Sequence, residues 1–206
     1  MPSRATGLDH AAALAGEKLP TRSWLADFRS AVQQCVRHGG GGALKQMLTE
    51  QNLWALFQYR IEAAVYRSEW PAWIKKPLRL VLTVWHKLIE LMTGVSLPCT
   101  ASVGPGLFLP HCGSRVISGH SVIGANCCIL QGATIGISGR GTNRGVPRIG
   151  DRVYLGANAV VVGKIMVGDD ALIGANSLVN RDVPPHRTVV GVPAVVVSDR
   201  GSEDYL

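Results

Sequence analysis

The chain has 206 residues, 47% of them apolar, enough for a sizeable core in one or two domains. Its apolar runs fall short of the roughly 18 residues a membrane span needs, and the N-terminus lacks the apolar stretch of a secretory signal, so the cytoplasm is the expected compartment. The net charge of +7 calls for an anionic partner, but scattered arginines and only 6% aromatics argue against nucleic acid and for a phosphorylated small molecule.

Residues 1–20, rich in Ala, Gly and Ser without a period, read as a flexible leader. A helical domain is expected over 21–93. Trp24, Phe28, Ala31, Val32, Cys35 and Val36 form one helical stripe that stops at the glycine run 39–42. Leu53, Phe57, Ile61, Ala64 and Val65 form a second, and a third helix is expected from about Pro77 to Met92. Trp70, Trp73, Lys75, Lys76, Arg79, Trp85 and Lys87 mix aromatic and basic residues, which suits a helix packed on its neighbours or on another subunit, with peripheral membrane contact through residues 70–88, at the inner face of the membrane, as the alternative.

From residue 94 to 197 the period changes to six. Ile117, Ile123, Ile129 and Ile135 are spaced by hexads, and so are Ile149, Leu155, Val161, Val167, Ile173 and Val179. Helices do not repeat every six residues; a short extended rung followed by a turn does, with its lead aliphatic always pointing inward. A second column of small or apolar residues (Cys127, Ala133, Val153, Ala159, Ala171, Ser177) suits tight interior corners. The pattern predicts a solenoid of strand rungs. Leu97, Val103 and Leu109 extend the count backward, with a two-residue slip before Ile117 that contains His111. The stretch 137–148 is too polar and Gly-rich to be a rung and reads as a protruding loop. Residues 198–206 form a short acidic tail. The five cysteines lack the paired spacing of a zinc site and read as reduced apolar residues, so no metal is expected.

The repeats Ile123-Gly-Ala-Asn126, Leu155-Gly-Ala-Asn158 and Ile173-Gly-Ala-Asn176 come with the segment from Gly106 to His111 and the rung Ile129-Leu-Gln131-Gly-Ala-Thr134-Ile-Gly136. Together with Phe57-Gln-Tyr-Arg60-Ile and the closing Gly191-Val-Pro-Ala194, they resemble the serine acetyltransferase branch of the hexapeptide-repeat acyltransferases. The resemblance implies an α+β chain: an N-terminal helical domain, then a left-handed parallel β-helix with a protruding loop, assembled as a homotrimer with sites between subunits. It also implies acetyl-CoA as donor and a hydroxyl acceptor. His111 matches the catalytic histidine of the family; an imidazole, ordinarily titrating near about 6.5, can take the hydroxyl proton during attack on the thioester. Ala157 and Ala175 fall where the family offers backbone amides to the cofactor, and Arg140 and Arg144 lie in the loop that walls the site of a neighbouring subunit. His120 and His186 read as surface or structural residues.

The departures concern the acceptor. Where the family has an aspartate fifteen residues before the histidine, this chain has Ser96; where it has one immediately before, this chain has Pro110. The Arg-His pair of the family loop is Gly145-Val146 here. No Asp or Glu occurs between Leu91 and Gly150, so a carboxylate for a substrate ammonium must come from elsewhere, such as Glu50 or Glu62. These changes favour a sugar acceptor in polysaccharide biosynthesis, with serine O-acetylation in cysteine biosynthesis as the alternative and a non-catalytic scaffold as a third reading.

Overall fold

The computed structural model describes residues 23–39, 41–141 and 144–206, so the expected leader lies outside the described residues. Among the described residues four helices precede the strands: α1 (Trp24–Gly39), α2 (Ala43–Thr49), α3 (Gln51–Arg67) and α4 (Ala72–Thr93). Fourteen short strands follow, β1 (Val95–Ser96) to β14 (Ala194–Ser198). They stack into three sheets, in the orders β1-β3-β6-β9-β12, β2-β4-β7-β10 and β5-β8-β11-β13-β14. All pairings are parallel except β13 with β14. This is the solenoid of strand rungs that the hexads predict, in the form that the resemblance implies, a left-handed β-helix: a prism whose three faces are the three sheets.

Every lead aliphatic from Leu97 to Val179 is buried, as is every residue of the small second column. Each fully buried Ile or Val contributes about 1.5 to 3 kcal/mol. The Gly-Ala-Asn corners have a backbone reason. Asn126, Asn158 and Asn176 adopt left-handed conformations (φ 55°, 58° and 57°), which asparagine tolerates better than most residues. The glycine ahead of them permits close stacking: a Cβ on Gly124 would sit 2.5 Å from the carbonyl of Gly150 in the next coil.

The helical region departs from expectation in three places. A short helix, α2, follows the glycine run where none is expected. α4 begins at Ala72, with Pro71 as its N-cap, and carries Pro77 inside rather than at its start. In α3 more than one stripe is buried: Leu56, Tyr59, Ala63 and even Asn52, Gln58 and Arg60 are covered. The reason is that α3 lies between the other helices and the prism. It packs on α1 and α4 and also donates hydrogen bonds to prism carbonyls, from Tyr59 Oη to Ala101 (2.9 Å) and from Arg60 to Val103 (2.7 Å) and Gly104 (2.5 Å). Burial lowers the Arg60 pKa, opposed by the neighbouring Tyr59 ring and Asp27 carboxylate at 3.3 Å.

Candidate active site

The three corner columns of the prism organise the candidate residues. His111 lies in the excursion between Phe108, which bridges to Cys128 on the third sheet, and β3 (Arg115–Ile117) on the first. In later coils the same edge carries Gln131, then Ala157, then Ala175. Backbone hydrogen bonds link the coils along it: Gly132 N to Ser114 O (2.6 Å), Asn158 N to Gln131 O (2.9 Å) and Asn176 N to Ala157 O (2.8 Å). Three coil steps of about 4.8 Å separate the His111 level from Ala175, roughly 14 Å along one edge. The fold therefore aligns three of the sequence candidates in a single column.

The amides of that column differ from those of the neighbouring edge. At the corner after the second sheet, Asp151 Oδ1 accepts from Ala125 N (2.7 Å) and Asp169 Oδ1 from Asp151 N (2.8 Å), so each amide is capped by the next coil. At the His111 edge no described side chain caps the amides of Ala157 or Ala175. A ligand carbonyl can take those donors, as a pantetheine arm requires. The Gln131 side-chain oxygen on this edge is buried without a partner.

Arg140 and Arg144 are exposed and lie elsewhere. Their loop leaves the prism after β6 (Thr134–Gly136), at a different corner, and its neck is closed by Ser138 and Gly145, which exchange two backbone hydrogen bonds (3.1 and 3.0 Å). Within one chain the structure does not bring these arginines to His111.

The His111 segment is held by residues that the sequence reading overlooked. His111 is exposed and takes a left-handed backbone conformation, φ 64°, which a residue with a Cβ adopts only under constraint. The constraint comes from below. Asn52 Nδ2, at the start of α3, donates to the carbonyls of Leu109 (2.8 Å) and His111 (2.6 Å). The Arg115 guanidinium, fully buried, donates to the carbonyls of Ile129 (2.9 Å), Gly113 (3.2 Å), His111 (3.0 Å) and Pro110. No described carboxylate pairs with it. Burial pushes its pKa down to about 10, so it stays charged at neutral pH and its charge is spread over four carbonyl dipoles. A signal for it was present: period-two alternation puts residue 115 on the inward face with Ile117. Arg115 occupies the small-residue column of Ala133, Ala159 and Ser177, and the two-residue slip gives that corner room for it.

Other candidates are committed to other partners. Ser96 faces Glu90, whose carboxyl is held below the ordinary carboxylate range first by Lys87 and then by Ser96. Glu62 sits 3.1 Å from His86 and accepts from Gln58 (2.6 Å) in the helical layer. His186 pairs with Glu203 at 2.8 Å near the C-terminus, and His120 is an exposed corner residue with φ 67°. Burial pushes the thiols of Cys127 and Cys128 up to about 12, which makes them poor nucleophiles.

With this geometry in place, comparison with known proteins is informative. Residues 147–181 match the family described as bacterial transferase hexapeptide (six repeats). Serine acetyltransferase of Synechococcus elongatus is 33% identical over 178 residues, 85% of this chain and 68% of that protein. The chain belongs to the serine acetyltransferase-like hexapeptide-repeat acyltransferases. Serine acetyltransferase of Helicobacter pylori is also 33% identical, over 74% of this chain and 84% of that protein. Among solved structures, Neisseria gonorrhoeae serine acetyltransferase in complex with serine matches with a TM-score of 0.72 at 32% identity, covering 85% of this chain and 69% of that one. As a family member the chain is an O-acetyltransferase enzyme, which removes the scaffold reading.

Proposed function

We propose that this enzyme transfers the acetyl group of acetyl-CoA to the hydroxyl of L-serine. The observation that carries this reading is the match, over 85% of the chain, to a relative solved with serine bound. It favours serine over the sugar acceptor expected from the departures in sequence. His111 is the general base in this reading. It accepts the proton as the hydroxyl oxygen bonds to the thioester carbon; the tetrahedral adduct then collapses, the carbon–sulfur bond breaks, and the proton passes from the imidazolium to the departing thiolate. The acetyl group moves directly, without an enzyme ester. The capless amides of Ala157 and Ala175 bind the pantetheine arm. Arg140 and Arg144, displaced to another corner, act on the site of a neighbouring chain in a homotrimer.

The serine ammonium needs a carboxylate, and Glu50 is the better of the two expected donors. Glu62 is occupied by His86 and Gln58, whereas Glu50 directly precedes Gln51 and Asn52, which hydrogen-bond the His111 segment. One observation favours a second reading, an uncharged hydroxyl such as that of a sugar: the stretch around His111, residues 92–149, holds no carboxylate of its own. Thiol release from acetyl-CoA, measured with L-serine and with a panel of sugars and nucleotide-sugars, separates the two. We expect turnover on serine that falls about 10² to 10⁴-fold in His111→Ala with the melting temperature unchanged. Turnover on a sugar alone would overturn the serine assignment, and activity retained in His111→Ala would overturn the role of the histidine.

A further inference from the structure

We propose that α4 docks this enzyme on an anionic lipid surface through an apolar face that the fold leaves uncovered. The helix buries Leu82, Ile89 and Thr93 against the rest of the molecule. On its opposite side Trp73, Leu80, Val84, Leu88 and Leu91 follow one another at spacings of seven, four, four and three residues, and all are more than half exposed. They form one stripe, about 27 Å long at 1.5 Å per residue. A helix that is apolar on both sides is normally covered on both.

The charges beside the stripe decide what covers it. α4 carries Lys75, Lys76, Arg79 and Lys87 against a single carboxylate, Glu90. Glu90 is turned to Lys87 (2.6 Å) and is not part of the exposed stripe. Lys76 and Arg79 are exposed, and Arg79 lies 5.4 Å from the Tyr66 ring centroid. A second copy packed face to face would bring basic flank against basic flank, because the stripe offers no acid to receive them. An anionic leaflet accepts both features: the aliphatic stripe enters the boundary between headgroups and acyl chains, and the cations lie at phosphate level. Trp73 at the N-terminal end suits that interface. No described helix is long and apolar enough to cross a membrane, so α4 would lie along the surface. The exposed Leu44 and Leu48 of α2 add apolar surface to the same helical region.

The test is sedimentation of the full-length protein with vesicles of phosphatidylcholine alone or mixed with phosphatidylglycerol. Binding should require phosphatidylglycerol and weaken with salt, each exposed cation being worth about fivefold. Leu80→Gln/Val84→Gln/Leu88→Gln should reduce it by about tenfold or more, while circular dichroism and acetyl transfer to a soluble acceptor stay unchanged. Lys76→Gln/Arg79→Gln should reduce it in phosphatidylglycerol vesicles only. Absence of sedimentation at low salt, equal binding to neutral vesicles, or binding untouched by the triple substitution would each overturn the proposal. So would an assembly that is larger in the parent than in the triple variant by light scattering without vesicle binding, which would make a second copy the occupant.

Discussion

The prism and the helical region solve the burial problem in opposite ways. In the prism each coil covers the next, so beyond the first coil, which α3 covers, the lead aliphatics are buried within the stack. The helical region has no such repetition. It keeps an apolar cavity of about 280 Å³ lined by Phe28, Leu53, Trp54, Phe57, Trp85 and Ile89, and leaves the outer stripe of α4 in water. The helical layer rests on the prism through α3 and leaves the outer stripe of α4 exposed.

The sharpest way to break this contrast is a charge inside the stack. Ile173 is fully buried in β11 between β8 and β13, and an aspartate there has neither partner nor water. Ile173→Asp should abolish folded protein, seen as loss of a cooperative melting transition. A normal melting temperature would show that the repeats tolerate a local break.

The next largest effect is expected at the joint between the two regions. Arg115→Met removes the donors to four carbonyls while keeping apolar bulk; the His111 carbonyl keeps Asn52, and the buried Ile129 carbonyl, once unpaired, costs about 1 to 3 kcal/mol. The melting temperature should fall by several degrees and kcat should fall with KM for acetyl-CoA little changed, because the amides of Ala157 and Ala175 stay in place. Asn52→Leu, which loses the donors to the Leu109 and His111 carbonyls from the helical side, should show the same split to a lesser degree. Arg115→Lys should not restore kcat, since one ammonium cannot span carbonyls that a planar fork reaches. If both variants keep full kcat, the His111 segment needs no clamp.

These two sites also mark how far the sequence can be read. The hexads specify the core residue by residue, because every rung repeats one inward position and a slip of one residue would expose the whole set. His111 stands at the slip in that count, and its candidacy as the base comes from the resemblance of its segment to the family's. Arg115 was missed although it stands two residues before Ile117, since a charge in an inward column contradicts the burial that the pattern implies. Its carbonyl partners become visible only once the slip has folded. In α3 the single expected stripe was too narrow, because Asn52, Tyr59 and Arg60 are polar residues buried for the sake of prism carbonyls remote in sequence. The loop arginines are legible as a loop, while their distance from His111 depends on which corner the loop leaves, a property of the coil and not of the hexad.

The smallest expected effect tests the helical region alone. Burial pushes the Glu62 carboxyl up, but hydrogen bonds from His86 and Gln58 outweigh that and hold it below its ordinary range. A carboxyl depressed in the folded state contributes stability above its unfolded pKa, near about 4.3, and loses it as pH falls through the folded value. Glu62→Gln should therefore melt below the parent at neutral pH, by roughly 2 °C. The gap should persist down to about pH 5 and close as the pH drops below about 4.3. Melting curves of both proteins across that range decide it. A gap of constant size down to acid would mean that Glu62 acts through packing and not through its charge, and the helical layer would then resemble the prism more closely than its polar contacts suggest.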